Sequence, residues 1–269
     1  MLTCEGKIAI VTGATGGIGM ASAKKLAEEG ATVYALVRRV EAMEDIIRGW
    51  GDLGPGRVAK AIYFDAGNID TIAPAIEAVY AEAGRIDIFV NNAIAAQNAA
   101  VTDNTTVVET SHETLMGLYE GIMGVSAACA RAAIPLMIQG GGGSFVNISS
   151  TTSVQADMTR SFYGISKAAV NLFTKDIAMQ YGRQGIRCNA VLPGFTVGAS
   201  TLDVLPKEFV EQWLKHAPLR RLGKPEDQAN AVAFFAGNQS EWVTGQILEV
   251  CGGFGVGSPI YGDTVEPCC

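Results

Sequence analysis

Short apolar runs alternate with amphipathic helical segments along nearly the whole chain. Runs of this kind, rich in β-branched residues and bounded by glycine, proline or polar residues, are typical of buried strands. The segments between them, such as MASAKKLAEEG and KAAVNLFTKDIAMQY, have the residue spacing of helices. Seven runs show the strand pattern: 7–13, 31–37, 58–64, 86–90, 144–149, 186–194 and 244–254. The alternation predicts an α/β fold, a single doubly wound domain over 1–269 with a parallel sheet of about seven strands and helices on both faces.

A glycine-rich turn, TGATGGIG at 12–19, links the first predicted strand to the first predicted helix. In this setting glycines let the backbone approach a pyrophosphate closely. The helix N-terminus adds free N–H groups and a partial positive charge. The pattern therefore predicts a dinucleotide-binding Rossmann domain, in which the cofactor contacts Gly13, Thr15, Gly17, Ile18 and Gly19.

The end of the second predicted strand bears on the choice between NAD and NADP. In a dinucleotide fold the adenosine ribose lies there, and an acidic residue that accepts from the 2′-hydroxyl favours NAD. This chain has Arg38 and Arg39 instead. Because two guanidinium groups suit a 2′-phosphate, we predict NADP(H) as the cofactor, with NAD(H) as the alternative. A second interpretation is that both arginines merely begin the next helix.

Two further strand ends carry residues that we place in the cofactor site. Asp65 and Ala66 follow the third predicted strand, where an adenine amino group can be read. Asp65 has an alternative role as the cap of the following helix. Asn91 ends the fourth predicted strand, where its amide either cross-links neighbouring strands or contacts the nicotinamide ribose.

Ser150, Tyr163 and Lys167 are the candidate catalytic residues. Tyr163 and Lys167 are four residues apart at the start of a helical pattern, so they share a helix face. Lys167 can lower the pKa of the phenol electrostatically, and a phenol with a pKa of ~10 needs such help to act as a general acid–base. Ser150 follows the fifth predicted strand, where its hydroxyl can hold a substrate oxygen beside Tyr163. The spacing alone also fits an ordinary amphipathic helix.

A substrate loop and lid are predicted at about 195–222, within the same domain. Pro193 and Gly194 stop the sixth predicted strand. Ligands of open α/β sheets bind past the carboxyl ends of the strands, which is where this irregular segment lies. The amphipathic stretch that follows contains Trp213 and either closes over the substrate or simply packs over the sheet.

Composition and charge narrow the possible partners. A net charge of −7 argues against nucleic acid, because phosphate contacts require a basic patch. The six cysteines form neither a CxxC motif nor a spaced Cys/His set, so we expect no metal site and reduced thiols in a cytoplasmic protein. No apolar run approaches ~18 residues, so no membrane span is expected.

With these residues in place, the chain resembles the short-chain dehydrogenase/reductase family over nearly its whole length. The matching motifs are the glycine turn at 12–19, Asn91-Asn92-Ala93, Ser150, Tyr163-x-x-x-Lys167 and Pro193-Gly194. The resemblance implies that Tyr163 is the general acid–base, that Lys167 lowers its pKa and binds the nicotinamide ribose, and that Ser150 orients the substrate oxygen. It also implies that Pro193, Gly194 and Thr196 contact the cofactor, that hydride moves between a carbinol carbon and nicotinamide without a metal, and that the protein is a homo-tetramer.

Within the family, the C-terminal half resembles bacterial bile-acid hydroxysteroid dehydrogenases through GIRCNAVLPG, APLRRLGKPEDQANAV and VTGQILEVCGGFGVGSPIYGD. The tail is most similar to 7α enzymes, whereas NNAIAAQ and GLYEGIMG are more similar to a 12α enzyme. We therefore expect an NADP(H)-dependent 12α-hydroxysteroid dehydrogenase acting on a bile acid. The alternatives are a 7α enzyme and a reductase of non-steroid ketones. A nucleotide-sensing protein without catalysis would lack the tyrosine or the lysine, and both are present.

Four positions depart from the family pattern. Ile94 replaces the glycine of NNAG, and Ile122 stands near the place of an asparagine that holds a water in a proton relay. Gly16 replaces a basic residue found in many NADP-dependent relatives, which weakens the prediction of NADP. Gly198 replaces a threonine that contacts the nicotinamide, and Thr196 is the expected substitute.

Overall fold

The seven predicted strands form one parallel sheet in the computed structural model, which describes residues 2–51, 59–95, 106–198 and 205–256. They are β1 (Ile8–Thr12), β2 (Thr32–Val37), β3 (Ala59–Tyr63), β4 (Ile88–Asn91), β5 (Gly143–Ile148), β6 (Ile186–Pro193) and β7 (Ile247–Val250). Their order across the sheet is β3-β2-β1-β4-β5-β6-β7. The predicted fold class is confirmed. The predicted thiols of Cys268 and Cys269, and part of the predicted lid, lie outside the described residues.

Helices cover both faces of the sheet. They are α1 (Gly17–Glu28), α2 (Val40–Arg48), α3 (Ile72–Ala83), α4 (His112–Tyr119), α5 (Val125–Gln139), α6 (Ser161–Tyr181), α7 (Lys207–His216) and α8 (Pro225–Ala236). Buried residues of α3, α5 and α6 form one core with the sheet, and those of α1, α2 and α8 form the other. Successive strand residues such as Ile10 and Val11 enter opposite cores, which is why the strands are apolar throughout.

The connectivity places a crevice at the carboxyl edge of the sheet. From β1 the chain builds β2 and β3 on one side, then returns to β4 and builds β5, β6 and β7 on the other. The loops after β1 and β4 therefore diverge, and this is the position at which doubly wound sheets bind ligands. Phe89 and Phe145 stack across β4 and β5 with 4.9 Å between ring centroids, which ties the central strands together below the crevice.

Two of the four glycines at 140–143 are required by close packing. Gly142 has a φ of +102°, and a Cβ atom there would lie 2.5 Å from the carbonyl oxygen of Gly185. Gly143 already belongs to β5, and a Cβ atom on it would lie 2.4 Å from the carbonyl oxygen of Asp87. The glycines thus allow three backbone segments to meet at the start of β5.

A long helical stretch runs from His112 to Gln139, and one π-helical turn at Glu120–Gly124 separates α4 from α5 within it. This turn brings the carbonyl oxygen of Gly121 within 2.9 Å of the backbone N–H of Ala95, which anchors the loop after β4. By length and composition the stretch could cross a membrane, with a mean hydropathy of 1.6, but half of its most apolar window is buried inside the fold. Helix α5 supplies much of that buried part to the core.

Candidate active site

Two cavities follow the carboxyl edge of the sheet and together form one cleft. The smaller, of about 230 Å³, lies over β1, β2 and β3, and the larger, of about 580 Å³, lies over β4, β5 and β6. Asn92 and Ile94 line both cavities, so the loop after β4 is their shared wall. The predicted contacts with an adenosine border the smaller cavity, and the predicted catalytic residues border the larger one.

The glycine turn is shaped by two close approaches. Gly13 has a φ of +69°, in the left-handed region that favours glycine. A Cβ atom on Gly19 would lie 2.3 Å from the carbonyl oxygen of Gly13 and 2.6 Å from Nδ2 of Asn92. No side chain caps α1, because Gly16 is its N-cap residue. The first N–H groups of α1 are therefore left for an anion.

Residues of the glycine turn line both cavities. Thr15 lines the smaller cavity with Gly13, whereas Ile18 lines the larger one. Gly17, with a φ of +52°, is surrounded by open space. The start of α1 therefore lies between the two halves of the cleft, where a pyrophosphate would join an adenosine to a nicotinamide.

The two candidate arginines occupy different positions. Arg38 lines the smaller cavity together with Asp65 and Ala66. Arg39 is exposed and directly precedes α2, and it is not among the lining residues. Asp65 does not cap the next helix: its Oδ1 accepts from the N–H of Gly67, and Asn68 caps the short 3₁₀ turn that leads into α3. Of the predicted residues, Arg38 and Asp65 are thus the charged groups on the cavity wall.

Asn91 lies inside the sheet and not on the cleft wall. Its Nδ2 donates to Oδ1 of Asn147 across β4 and β5 at 2.8 Å, so strand cross-linking is the role that the structure shows. The next residue, Asn92, lines both cavities and donates from Nδ2 to the carbonyl oxygen of Thr12 at 2.9 Å. The sequence left both roles of Asn91 open, because a strand end does not reveal which side chain of the pair faces the sheet.

Ser150, Tyr163 and Lys167 come together in the larger cavity. Ser150 stands two residues beyond β5 and caps a short turn, where its Oγ accepts from Oγ1 of Thr152 at 2.8 Å. Tyr163 and Lys167 lie one turn apart on α6, with Nζ of Lys167 5.9 Å from the centroid of the phenol ring. The same Nζ donates to the carbonyl oxygen of Ile148 at 2.8 Å, so the lysine also ties α6 to the end of β5.

The pKa of Tyr163 is shifted in the direction opposite to our expectation. Burial raises the pKa of the phenol, and this outweighs the lowering by its hydrogen bond with Ser150 and by the charge of Arg160. Burial also lowers the pKa of Lys167 from 10.5 to about 8. The expected lowering of the tyrosine pKa by Lys167 is therefore not what the structure shows, because the burial that the two residues share disfavours both charged forms.

Asn171 is a site residue that sequence reasoning missed. It lies on α6 one turn beyond Lys167 and is buried. Its Nδ2 donates to Oγ of Ser153 at 2.7 Å, and Ser153 in turn bonds to the carbonyl oxygen of Ser150. Its Oδ1 has no partner among the described residues. The four-residue spacing from Lys167 was the available signal. Ile122, the expected relay position, is buried in an apolar cluster.

Close contacts also fix the segment after β6. A Cβ atom on Gly194 would lie 2.6 Å from Cβ of Cys251, so this position admits only glycine without a rearrangement. Thr196 donates from Oγ1 to the carbonyl oxygen of Gly194 at 3.1 Å and accepts from Nε2 of Gln228 at 3.0 Å. Pro193, Gly194 and Thr196 all line the larger cavity, next to the catalytic groups.

Three aromatic rings line the larger cavity, and we call them the aromatic wall: Phe195, Trp213 and Phe254. Trp213, on α7, stacks on Phe195 with 5.0 Å between centroids and on Phe254 with 3.8 Å. The helix predicted as part of a lid is therefore packed against segments that follow β6 and β7. Phe209, on the same helix, meets Phe195 edge-on at 5.5 Å and does not line the cavity.

The cleft fits a nicotinamide dinucleotide in its shape and in its chemistry. The glycine turn leaves room where a side chain would clash, the N-terminus of α1 lacks a side-chain cap, and Arg38 adds a positive charge. Within the described part of the chain, no cluster of three or more His, Cys, Asp or Glu side chains is arranged to hold a metal ion. Fold and site together define a dinucleotide-dependent oxidoreductase.

Comparison with known proteins gives the family. A family model described as enoyl-(acyl carrier protein) reductase matches residues 13–255. A 7α-hydroxysteroid dehydrogenase of Clostridium sardiniense is 45% identical over 264 residues, covering 98% of this chain and 98% of that relative. A second, from Paraclostridium sordellii, is 43% identical over 97% of this chain and 96% of the relative. The chain belongs to the short-chain dehydrogenase/reductase family, whose members interconvert alcohols and ketones with a nicotinamide cofactor.

The solved structures agree with this assignment. A 7α-hydroxysteroid dehydrogenase in complex with NADH and 7-oxoglycochenodeoxycholic acid superposes with a TM-score of 0.85 at 29% identity, covering 94% of this chain and 96% of that one. An L-sorbose reductase of Gluconobacter frateurii with NADPH and L-sorbose gives 0.81 at 26% identity, over 94% and 98% of the two chains. The predicted resemblance to bacterial hydroxysteroid dehydrogenases is confirmed.

Proposed function

We propose that this protein is an NADP(H)-dependent 7α-hydroxysteroid dehydrogenase that interconverts a secondary alcohol and a ketone on a bile acid. The observation that carries the proposal is the cavity of about 580 Å³ that is lined both by Ser150, Tyr163 and Lys167 and by apolar aromatic rings. The relatives with 43–45% identity support the 7α position. These relatives support the 7α alternative better than the 12α position that the middle of the sequence suggested.

Each catalytic side chain has a chemical task in this proposal. A bound nicotinamide cofactor supplies or accepts the hydride. Ser150 donates a hydrogen bond to the substrate oxygen and holds it beside Tyr163. In the reductive direction Tyr163 gives its phenolic proton to that oxygen, and in the oxidative direction it takes the proton from the alcohol. Because burial raises the pKa of Tyr163, the phenol stays protonated at neutral pH, and alcohol oxidation is expected to accelerate as the pH rises.

A panel of four bile acids tests the position of the hydroxyl group. Chenodeoxycholate carries 3α- and 7α-hydroxyls, deoxycholate 3α and 12α, cholate all three, and lithocholate only 3α. We expect the purified enzyme to reduce NADP with chenodeoxycholate and cholate, but not with deoxycholate or lithocholate. Oxidation of deoxycholate but not of chenodeoxycholate would identify a 12α enzyme, and activity on all four would identify position 3. Failure with every bile acid would favour the non-steroid ketone reductase.

The preference for NADP rests on Arg38. It lines the adenosine end of the cleft, whereas Arg39 faces solvent beyond it, so the pair provides a matched comparison. Charge-assisted hydrogen bonds to phosphate favour the 2′-phosphate over a free hydroxyl. We expect Arg38→Ala to raise the KM for NADP by roughly tenfold or more and to leave the KM for NAD almost unchanged. Arg39→Ala should change both little. Equal responses of the two cofactors to Arg38→Ala would contradict the proposal.

A homo-tetramer in the cytoplasm completes the proposal. Ile165, Leu172 and Met179 follow one another at intervals of seven residues along α6 and are 57%, 62% and 86% exposed. A stripe of large apolar side chains on one helix face suits contact with a second copy of the chain. We expect Leu172→Lys to lower the oligomeric state in light scattering, with an unchanged circular dichroism spectrum. An unchanged mass would contradict this use of α6.

The unpaired thiols of Cys4, Cys129, Cys188 and Cys251 suit a reducing compartment.

A further inference from the structure

The aromatic wall is held in place from three sides. The N–H of Leu219, just after α7, donates to the carbonyl oxygen of Gly252 at 3.0 Å. A Cβ atom on Gly253 would lie 2.9 Å from the ring of Pro218, so the two segments are in close contact. Helix α7 is thereby fixed to the turn after β7, and Trp213 stacks against the ring of the same turn.

The third attachment comes from the catalytic side of the cavity. Nε2 of Gln155 donates to the carbonyl oxygen of Phe254 at 3.3 Å, and Gln155 belongs to the segment that follows Ser150. The wall is therefore positioned relative to the catalytic serine before any substrate binds. A preformed aromatic surface loses little conformational entropy when a ligand covers it.

The larger cavity has two kinds of lining. Ser150, Tyr163 and Lys167 contribute hydroxyl, phenol and amine groups, whereas the aromatic wall contributes apolar rings. The volume of about 580 Å³ lies within the roughly 300–1,000 Å³ of pockets for drug-sized ligands. A ligand that contacts both sets of groups carries a reactive oxygen at one place and is otherwise flat and apolar.

We propose that Trp213 is a specificity-determining residue, which selects rigid polycyclic alcohols and ketones by packing the aromatic wall against their apolar rings. This inference rests on the proposed function, because it names what that site recognises away from the reacting carbon. Trp213 is the middle ring of the wall, so its removal separates Phe195 from Phe254. The catalytic groups lie on other elements and keep their own contacts.

Helix α7 offers a matched control. Phe209→Ala removes an aromatic ring from the same helix and the same partner, Phe195, but from outside the cavity. We expect Trp213→Ala to raise the KM for chenodeoxycholate at least about tenfold, as truncation of a central aromatic anchor does. The KM for NADP should stay within about twofold, and Trp213→Phe should restore most of the affinity for the steroid. Phe209→Ala should leave the steroid KM within about twofold.

Tryptophan fluorescence gives a binding readout that does not depend on turnover. The chain has three tryptophans, and Trp242 is fully exposed. Chenodeoxycholate should change the emission of the wild type and of Trp242→Phe, and this change should be lost in Trp213→Phe. The proposal is overturned if Trp213→Ala keeps the wild-type steroid KM, or if Phe209→Ala raises it equally. A wild type that neither binds nor oxidises any bile acid would overturn the proposed function, and this inference with it.

Discussion

Replacing Lys167 with methionine is expected to stabilise the protein while it removes activity. Lys167 is 4% exposed, and the described hydrogen-bond acceptor of its Nζ is the carbonyl oxygen of Ile148 at 2.8 Å. It forms no salt bridge with a described carboxylate, so no opposite charge offsets its burial. The consequence is visible in the pKa of Lys167, which burial lowers from 10.5 to about 8.

The size of the effect follows from that pKa difference. One pKa unit corresponds to ~1.4 kcal/mol, so burying the charged lysine at pH 7 costs about 3 kcal/mol. Methionine has a similar length and no charge, but it leaves the carbonyl oxygen of Ile148 without this donor, at a cost of about 1–2 kcal/mol. The variant should therefore gain roughly 1–2 kcal/mol, which for a chain of this size raises Tm by about 2–8 °C.

The pH dependence separates this explanation from a general improvement in packing. Between pH about 8 and 10.5 the folded wild type releases the proton of Lys167, whereas the unfolded chain keeps it. The stability of the wild type therefore rises by roughly 2–3 kcal/mol through this range, so Lys167→Met loses its advantage and becomes the less stable protein near pH ~10.

Urea unfolding followed by circular dichroism, at about pH 7 and about pH 10, measures this difference. Lys24→Met, at a half-exposed position on α1, is the control and should change stability by less than about 0.5 kcal/mol. A loss of stability in Lys167→Met at pH 7, or an advantage independent of pH, would refute the reasoning.

Three further variants test the site. Tyr163→Phe should lower kcat by roughly two to four orders of magnitude without changing NADPH binding measured by fluorescence, because it removes the proton donor alone. Gly19→Ala should weaken cofactor binding at least about tenfold, since its Cβ would lie 2.3 Å from the carbonyl oxygen of Gly13; unchanged titration curves would contradict this. Asn171→Ala removes the hydrogen bond from Asn171 to Ser153, so it should lower the free energy of unfolding in urea by about 1–3 kcal/mol and lower kcat more than it changes KM. A variant that keeps wild-type values would show that this hydrogen bond is dispensable.

Local sequence patterns were sufficient to predict most of the fold. Each strand lies within its predicted run except at its ends, as with β4, which extends to Asn91. Periodicity and glycine turns depend on neighbouring residues, so they can be recognised in the sequence. A small set of general rules also restricts how the strands of a parallel sheet with helical crossovers are connected. The π-helical turn at Glu120–Gly124 was not predicted, because it depends on the distant contact between Gly121 and Ala95.

The sequence was sufficient to predict which residues form the site. It did not show which way their side chains point or how their environment shifts their pKa values. The sequence places Asn91 and Asn92 equally at a strand end, and only the pairing with Asn147 shows which one turns inward. Arg38 and Arg39 are likewise equivalent in sequence and differ in the structure. The pKa of Tyr163 could not be predicted from its neighbour four residues away, because its burial results from tertiary packing.

The cleft is divided along the chain as well as in space. The smaller cavity is lined entirely by residues between Gly13 and Ala95, whereas all but three of the residues around the larger one lie between Ile148 and Phe254. Nucleotide preference and substrate preference are thus encoded in separate halves of the gene. Helix α5 lies between the two sets of lining residues. We expect recombination within it to exchange the substrate preference while the coenzyme preference is retained, so an enzyme of this architecture can acquire a new substrate and keep its coenzyme.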